Sequence, residues 1–394
     1  MRVYTILPAL LLVAILAACS DNPPPERWLK GNLHTHSLWS DGDDFPESII
    51  AWYRDGGYDF VALSDHNTLA EGERWMPVLP NREEAMRKYE AAFPESWVEF
   101  RVRNDTLQVR LKTFAEYSGL FNVADSFLVI QAEEITDGFE GKPLHMNATN
   151  IQERIEPQHG SSVTDVLQRN INAVLAQAES LRVPILPHVN HPNFGWGITP
   201  DDLVPLTGEH FFEVYNGHPA VHNEGDSDRP GTEAMWDYVN TQRLLNGGDL
   251  LYGLATDDAH NYLEERIGLA NTGRGWIMVR AEELDAAPLI GSLLIGDFYS
   301  SSGVTLSEVG FDGRTLSVQI DPDDGVSYTT YFIGTRDPSS PGEVLATTTD
   351  LEASYTFDGS EMFVRATVVS TAVKTNPYRE GETEMAWIQP VLPR

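Results

Sequence analysis

Six times between Gly31 and His260, a short apolar run of β-like character ends in histidine, a carboxylate or asparagine. Such a run favours burial, while its last residues resist burial unless they are paired. A fold that satisfies all six sets the strands side by side and gathers their ends in one place. The runs expected as strands are Leu29–His34, Tyr58–Ser64, Phe127–Gln131, His145–Asn150, Val183–Val189, Phe211–Asn216, Leu250–Thr256 and Trp276–Arg280. Helix-like stretches separate them. Pro46–Arg54 is one and Thr232–Leu245 another. Ser162–Leu181 repeats apolar residues at Val163, Val166, Leu167, Ile171, Val174 and Leu175, and Glu282–Ile295 carries acids in its first turn. This alternation implies an α/β fold with a parallel sheet or barrel. Eight strands are near the number that closes a barrel.

Residues 69–126 break the rhythm with a charged helical piece, Arg82–Ala92, and a β-like alternation from Trp97 to Val102. They read as an insertion placed to cover strand ends. From residue 300 to 394 the runs have period two, as in Leu316–Ile320, Tyr328–Ile333 and Met362–Val369, and Asp, Gly and Pro turns divide them. That pattern predicts a β-sandwich-like accessory domain after a main unit spanning 28–299.

Charge narrows the partners. The chain has 27 Lys and Arg against 59 Asp and Glu, a formal charge of −32. Duplex nucleic acid binding is therefore not expected, since it relies on clustered cations. Cys19 is the single cysteine. No intramolecular disulfide can form, Cys-rich zinc motifs are excluded, and any metal site must use His, Asp and Glu. Cys19 follows an apolar stretch from Ile6 and the residues Leu16-Ala17-Ala18. This resembles a bacterial lipoprotein box, with residues 1–18 as signal peptide and 19–27 as tether. It implies lipidation at Cys19, attachment to a bacterial membrane and an extracytoplasmic, periplasm-facing location. Ser20 in the next position points to the outer membrane.

The motifs come in chain order. In Leu33-His34-Thr35-His36, period two turns both imidazoles to one face, able to reach one metal ion, and Asp41 follows at a glycine turn. Asp65-His66 ends the second run. Glu133-Glu134 sits in the third, where a buried carboxylate needs a partner and a cation is the simplest. His145 opens the fourth run. The segment from His188 to His191 offers two competing histidines, of which His191, before Pro192, is preferred as ligand. Phe212-Glu213-Val214-Tyr215-Asn216 ends in polar groups. Asp258 and His260 repeat the period-two logic.

Taken together, these motifs resemble the polymerase and histidinol phosphatase (PHP) superfamily of metal-dependent phosphoesterases, over about residues 28–299. The resemblance implies a distorted (β/α)7-type barrel, so one of the eight strands is peripheral. It implies two or three divalent ions, with His34, His36 and Asp258 on the first. Glu134 would bridge the first and second, His145 and His191 would complete the second, and Asp41, His66 and His260 would hold a third. Glu133 is a rival for the bridging role. Ligands without sulfur suit Zn, Mn or Fe. The implied function is hydrolysis of phosphate esters by a metal-bridging hydroxide, on a small phosphorylated or ester substrate. Asp65 or His188 would protonate the leaving group. Arg274, in Gly273-Arg274-Gly275, either touches phosphate or is a solvated turn residue. Two other functions fit the same residues: a metallohydrolase of carboxylic esters, amides or carbamates, and a non-catalytic surface binding protein. A cationic side chain in the pocket would favour phosphate over carbonyl substrates.

Overall fold

The computed structural model describes residues 26–393. Cys19, the signal segment and nearly all of the tether lie outside the described residues. Strand β1 (Arg27–Asn32), helix α1 (Pro46–Asp55) and β2 (Phe60–Leu63) open the chain. The insertion supplies β3 (Arg74–Pro77), α2 (Glu83–Ala92), β4 (Phe100–Arg103), β5 (Thr106–Leu111) and α3 (Phe114–Phe121). Then come β6 (Leu128–Phe139), β7 (Lys142–Thr149), α4 (Val163–Leu181), β8 (Leu186–Val189), α5 (Pro200–Leu203), β9 (Phe211–Asn216), α6 (Thr232–Leu245) and β10 (Tyr252–Thr256). β11 (Trp276–Ala281), α7 (Ala286–Leu294) and β12 (Phe298–Ser301) follow. The rest is strand: β13 (Thr305–Phe311), β14 (Thr315–Asp321), β15 (Tyr328–Gly334), β16 (Glu343–Thr348), β17 (Glu352–Thr356), β18 (Val364–Val373) and β19 (Thr383–Val391).

The result is a mixed α/β fold around one large sheet, ordered β10-β9-β8-β7-β6-β2-β1-β11-β12-β19-β18-β15-β16. β2 runs parallel to β1 and β6, and β9 parallel to β8 and β10. The expected all-parallel arrangement fails in two places. β7 is antiparallel to both β6 and β8. Glu140 and Gly141 take φ of +49° and +81° and turn the chain straight back, leaving no room for a crossover helix. The eighth expected strand, β11, lies antiparallel on the outer side of β1. Helix α7 also begins later than expected. The Asp285 side chain accepts the Ala286 N–H and caps it, so Glu282 and Glu283 precede the helix.

The two distant ends of this strand series meet. The segment after β10 pairs with the segment after β1 through a bridge between Thr35 and Ala259. Asp258 N donates to His34 O at 3.0 Å and His36 N to Ala259 O at 2.9 Å. Helix α4 covers the β6–β8 face with Val163, Val166, Leu167, Ile171 and Val174, the stripe its sequence spacing anticipates. The insertion forms a sheet ordered β3-β5-β4 that packs on α1, where Tyr89 stacks on Phe45 at 3.9 Å. Beyond β12 a second sheet, β13-β14-β17, shares a core with β15, β18 and β19 through Leu306, Leu316, Val318, Phe332, Val368 and Ile388. Among the described residues no helix is long and apolar enough to cross a membrane.

Candidate metal centre

β1 continues past Asn32 into Leu33–His36, and strand alternation turns His34 and His36 inward together. Their Nε2 atoms are 3.1 Å apart. Asp258 Oδ1, from the segment after β10, lies 3.2 Å from each. Glu134, in the middle of β6, reaches the same point: Oε1 is 3.5 Å from His34 Nε2 and Oε2 is 3.3 Å from His36 Nε2. On its other side Glu134 Oε1 is 3.0 Å from His145 Nδ1 on β7 and 3.4 Å from His191 Nε2 after β8. His66, after β2, comes within 2.7 Å of Glu134 Oε2 through Nδ1 and within 3.5 Å of Asp41 Oδ2 through Nε2. Asp41 Oδ1 lies 3.4 Å from His260 Nε2 and 3.8 Å from His36 Nδ1.

All nine residues expected as ligands thus fall into overlapping groups whose ligand atoms lie within 4.8 Å of one another. They do not divide into three closed sets. His36 joins the Asp41, His66 and His260 group as well as the His34 and Glu134 group. Its ring stacks against that of His66, at 4.4 Å, and that of His260, at 4.1 Å.

A second layer of residues fixes these groups. His34 Nδ1–H donates to Glu213 Oε1 at 2.7 Å, which leaves the Nε2 lone pair facing the cluster. Glu213 also accepts from Thr256 Oγ1, His191 N and Asn216 Nδ2, each at 2.8 Å. Asn190 Nδ2 donates to Glu134 Oε1 at 2.8 Å, and Asn216 Nδ2 to Asp258 Oδ2 at 3.2 Å. Sequence reasoning noted the polar end of β9 but gave Glu213 no role. The available signal was a glutamate inside the apolar run Phe211-Phe212-Glu213-Val214.

Four expectations are corrected. Asp65 is buried and engaged in structure: it accepts from Ser37 N (2.8 Å), Ser37 Oγ (2.7 Å) and Ser40 Oγ (2.6 Å). It shapes the turn that carries Asp41 and has no path to a leaving group. His188 is fully buried behind Glu213, 3.5 Å from its Oε1 without an aligned hydrogen bond, and is equally cut off. Arg274 is neither phosphate ligand nor solvated turn residue. Its buried guanidinium bonds the carbonyls of Gly217, Leu269, Asn376 and Pro377. Glu133 alternates to the opposite face from Glu134, where its carboxylate accepts the Ile155 N–H at 2.9 Å.

Electrostatics show what the cluster favours. Burial alone would push Glu134 up, but His66, His145 and His34 hold it well below the carboxylate range. Asp258 is held down in the same way, against burial, by His34, His36 and His260. Burial alone would lower the histidines. Asp258, Glu213 and Glu134 instead hold His34 well above its ordinary value, and Glu134 and Asp41 push His66 up to about 11. His36 differs: burial and the neighbouring His260 lower it to about 3, so it stays neutral. The raised histidines register a concentrated negative potential, which divalent cations would satisfy in place of protons. The donor atoms fit such ions. His36 Nδ1, Glu134 Oε2 and His145 Nδ1 are buried and make no hydrogen bond, although other donor atoms crowd them. A buried polar atom left this way costs roughly 1–3 kcal/mol.

No family model matches the chain, and no curated protein matches it. Among solved structures it is similar to a two-domain protein from Bacteroides vulgatus that contains a predicted PHP-like metal-dependent phosphoesterase. That pair has 16% identity and a TM-score of 0.41, over 93% of this chain and 97% of that one. It is also similar to a protein from Bifidobacterium adolescentis, provisionally described as a metal-dependent phosphoesterase. Identity there is 11% and the TM-score 0.34, over 62% of this chain and 91% of that one. An amidohydrolase from Chromobacterium violaceum, solved with bound sulfate and no metal, matches at 12% identity and a TM-score of 0.31, over 59% and 87% of the two chains.

Proposed function

We propose that the chain is a metal-dependent hydrolase of phosphate esters. The proposed frame is a distorted barrel of the PHP type formed by β1, β2, β6, β7, β8, β9 and β10, with a β-sandwich-like accessory domain after it. The observation that carries this reading is Glu134. One buried carboxylate lies within 3.5 Å of ring nitrogens of His34, His36, His66, His145 and His191. A carboxylate so placed would suit sharing between neighbouring cations.

His34, His36, Glu134 and Asp258 would hold one ion. Glu134, His145 and His191 would hold a second, and Asp41, His66 and His260 a third. Divalent ions held there would supply positive charge and a water acidified enough to react near neutral pH. The chain's own part is to hold the donors in place. Glu213 fixes the His34 tautomer, and the Asp65 turn presents Asp41. Charge favours phosphate. Asp41, Glu134, Asp258 and the buried Glu213 beside His34 contribute four negative charges, fewer than the six that three divalent ions bring. The pocket would then be positive and suit a phosphate dianion inside a chain of net charge −32. One observation favours the second reading, hydrolysis of carboxylic esters, amides or carbamates. Arg274, the cation expected to meet phosphate, is turned away, and a neutral carbonyl substrate needs no cationic side chain.

A substrate panel on purified protein supplied with Mn or Zn decides between them. Turnover of phosphate monoesters with inert carboxylic esters and carbamates supports the first reading, and the reverse overturns it. We also propose lipid anchoring at Cys19. Cys19→Ala expressed in a Gram-negative host should leave the membrane fraction, and a variant processed and retained like the parent overturns the anchor.

A further inference from the structure

Beside the metal groups, two aromatic side chains have no part in holding ions. Phe194 follows His191 on the loop after β8, and His218 follows Asn216 at the end of β9. The Phe194 ring centroid is 5.1 Å from that of His191, 6.1 Å from His145 and 5.9 Å from His218. His218 in turn lies 5.5 Å from His260. Both residues are only partly buried, so they stand at the mouth of the cluster.

The loop that carries Phe194 is held in a costly shape. His191, Gly195 and Trp196 have φ of +22°, +56° and +54°. A Cβ on Gly197 would lie 2.2 Å from Pro143 O, so the loop rests directly on the start of β7. Asn193 Nδ2 donates to His222 O at 2.8 Å and Pro230 O at 3.1 Å, tying this loop to the one that carries His218. Trp196 is packed by His222, stacked at 4.5 Å, and by Arg229 at 4.0 Å. Phe194 is only half-buried. Strain of this kind persists where the surroundings over-determine a conformation, and it clusters at ligand sites.

His218 is fixed as a donor. Ala220 N–H donates to its Nδ1 at 3.1 Å, so the neutral ring carries its proton on Nε2, the nitrogen available to a ligand. The two rings stand at 87° to each other. Together they offer a flat apolar wall and, beside it, one N–H.

We infer that Phe194 and His218 form the subsite for the alcohol portion of the ester, and that this alcohol is aromatic. Its ring lies against Phe194, and the oxygen joining it to the acid group accepts from His218 Nε2–H. This rests on the hydrolase reading above and adds the substrate class to it.

The test uses two alcohols of similar size and leaving ability, benzyl and cyclohexylmethyl, each as phosphate and as acetate. The metal-loaded protein should prefer the benzyl ester about three- to tenfold in kcat/KM, the range of one aromatic contact. Phe194→Leu should abolish that preference and Phe194→Trp keep it, both with unchanged metal content. His218→Phe should lower kcat/KM for both esters about tenfold, with partial recovery in His218→Gln, which restores an N–H. Equal rates on the two phosphates, or a preference that survives Phe194→Leu, overturn the subsite and leave the phosphoesterase reading standing. Benzyl preference among acetates, with phosphates inert, does the opposite. If neither class turns over, calorimetry with benzylphosphonate and cyclohexylmethylphosphonate decides. Equal affinity, or no binding, overturns the subsite.

Discussion

Glu133 and Glu134 are adjacent and chemically identical, yet strand alternation gives them opposite roles. Glu134→Gln keeps the volume and removes the charge that five histidines surround. Turnover should fall by at least about a hundredfold and metal content should drop, as elemental analysis would show. Glu133→Gln should leave both nearly unchanged, and a dead Glu133→Gln with an active Glu134→Gln would reverse the assignment. Glu133 carries a separate pH signature. Burial pushes its carboxyl up to about 7, above the ordinary 4.5. The stability that goes with its neutral form is full below pH 4.5 and lost as pH rises through 7. Glu133→Gln, neutral throughout, should therefore be more stable than the parent at pH 8, by up to about 3 kcal/mol, and no different well below pH 4.5. Urea titrations at the two pH values would show it. At this scale the sequence was legible wherever residue chemistry and period two suffice, as for His34 and His36. It was not legible for Asp65, His188 and Arg274. There the direction of a side chain at a strand end depends on turns and partners far away in the chain.

Strands and loops decide how well the donors are held. β9 contributes Glu213, whose carboxylate accepts from His34, His191, Asn216 and Thr256 at once. Glu213→Gln should weaken metal binding about 10- to 100-fold through loss of the His34 tautomer, with the fold intact by circular dichroism. Competition with a chelating dye measures this directly, and an unchanged affinity would remove Glu213 from the supporting layer. Most elements could be anticipated. Thr232–Leu245 and Phe211–Asn216 have the bounds their sequence suggests, because helix periodicity and apolar run length are local signals. The reversal of β7 was not anticipated. Glu140-Gly141 is a weak turn signal in sequence, and only its pairing with β6 reveals the direction.

Across the whole molecule, the late strands are tied to the early ones. β12 pairs with both β11 and β19, so the large sheet is continuous from β10 to β16. Arg365 on β18 is buried and bonds Asp237 on α6 through Nε at 2.6 Å and Nη2 at 2.8 Å, with Glu233 at 2.9 Å. Arg365→Met leaves Asp237 buried without its partner and should cost about 3–5 kcal/mol in urea unfolding. Arg365→Met combined with Asp237→Leu should recover much of that loss. A small effect of the single substitution would show that the late strands are only loosely attached. Calorimetry of the parent should give one transition, since no strand edge separates the early from the late chain.

The clamp at Arg274 also bears on the order in which the protein is made. The ribosome completes every side chain proposed to bind metal by residue 260. The carbonyls of Asn376 and Pro377 that grip Arg274, and Lys374, which donates to Tyr215 Oη at 2.7 Å, are synthesised more than a hundred residues later. Until then the loops at Gly217 and Leu269 are gripped from one side only. A chain interrupted before its last hairpin should therefore carry every proposed ligand and still lack these contacts.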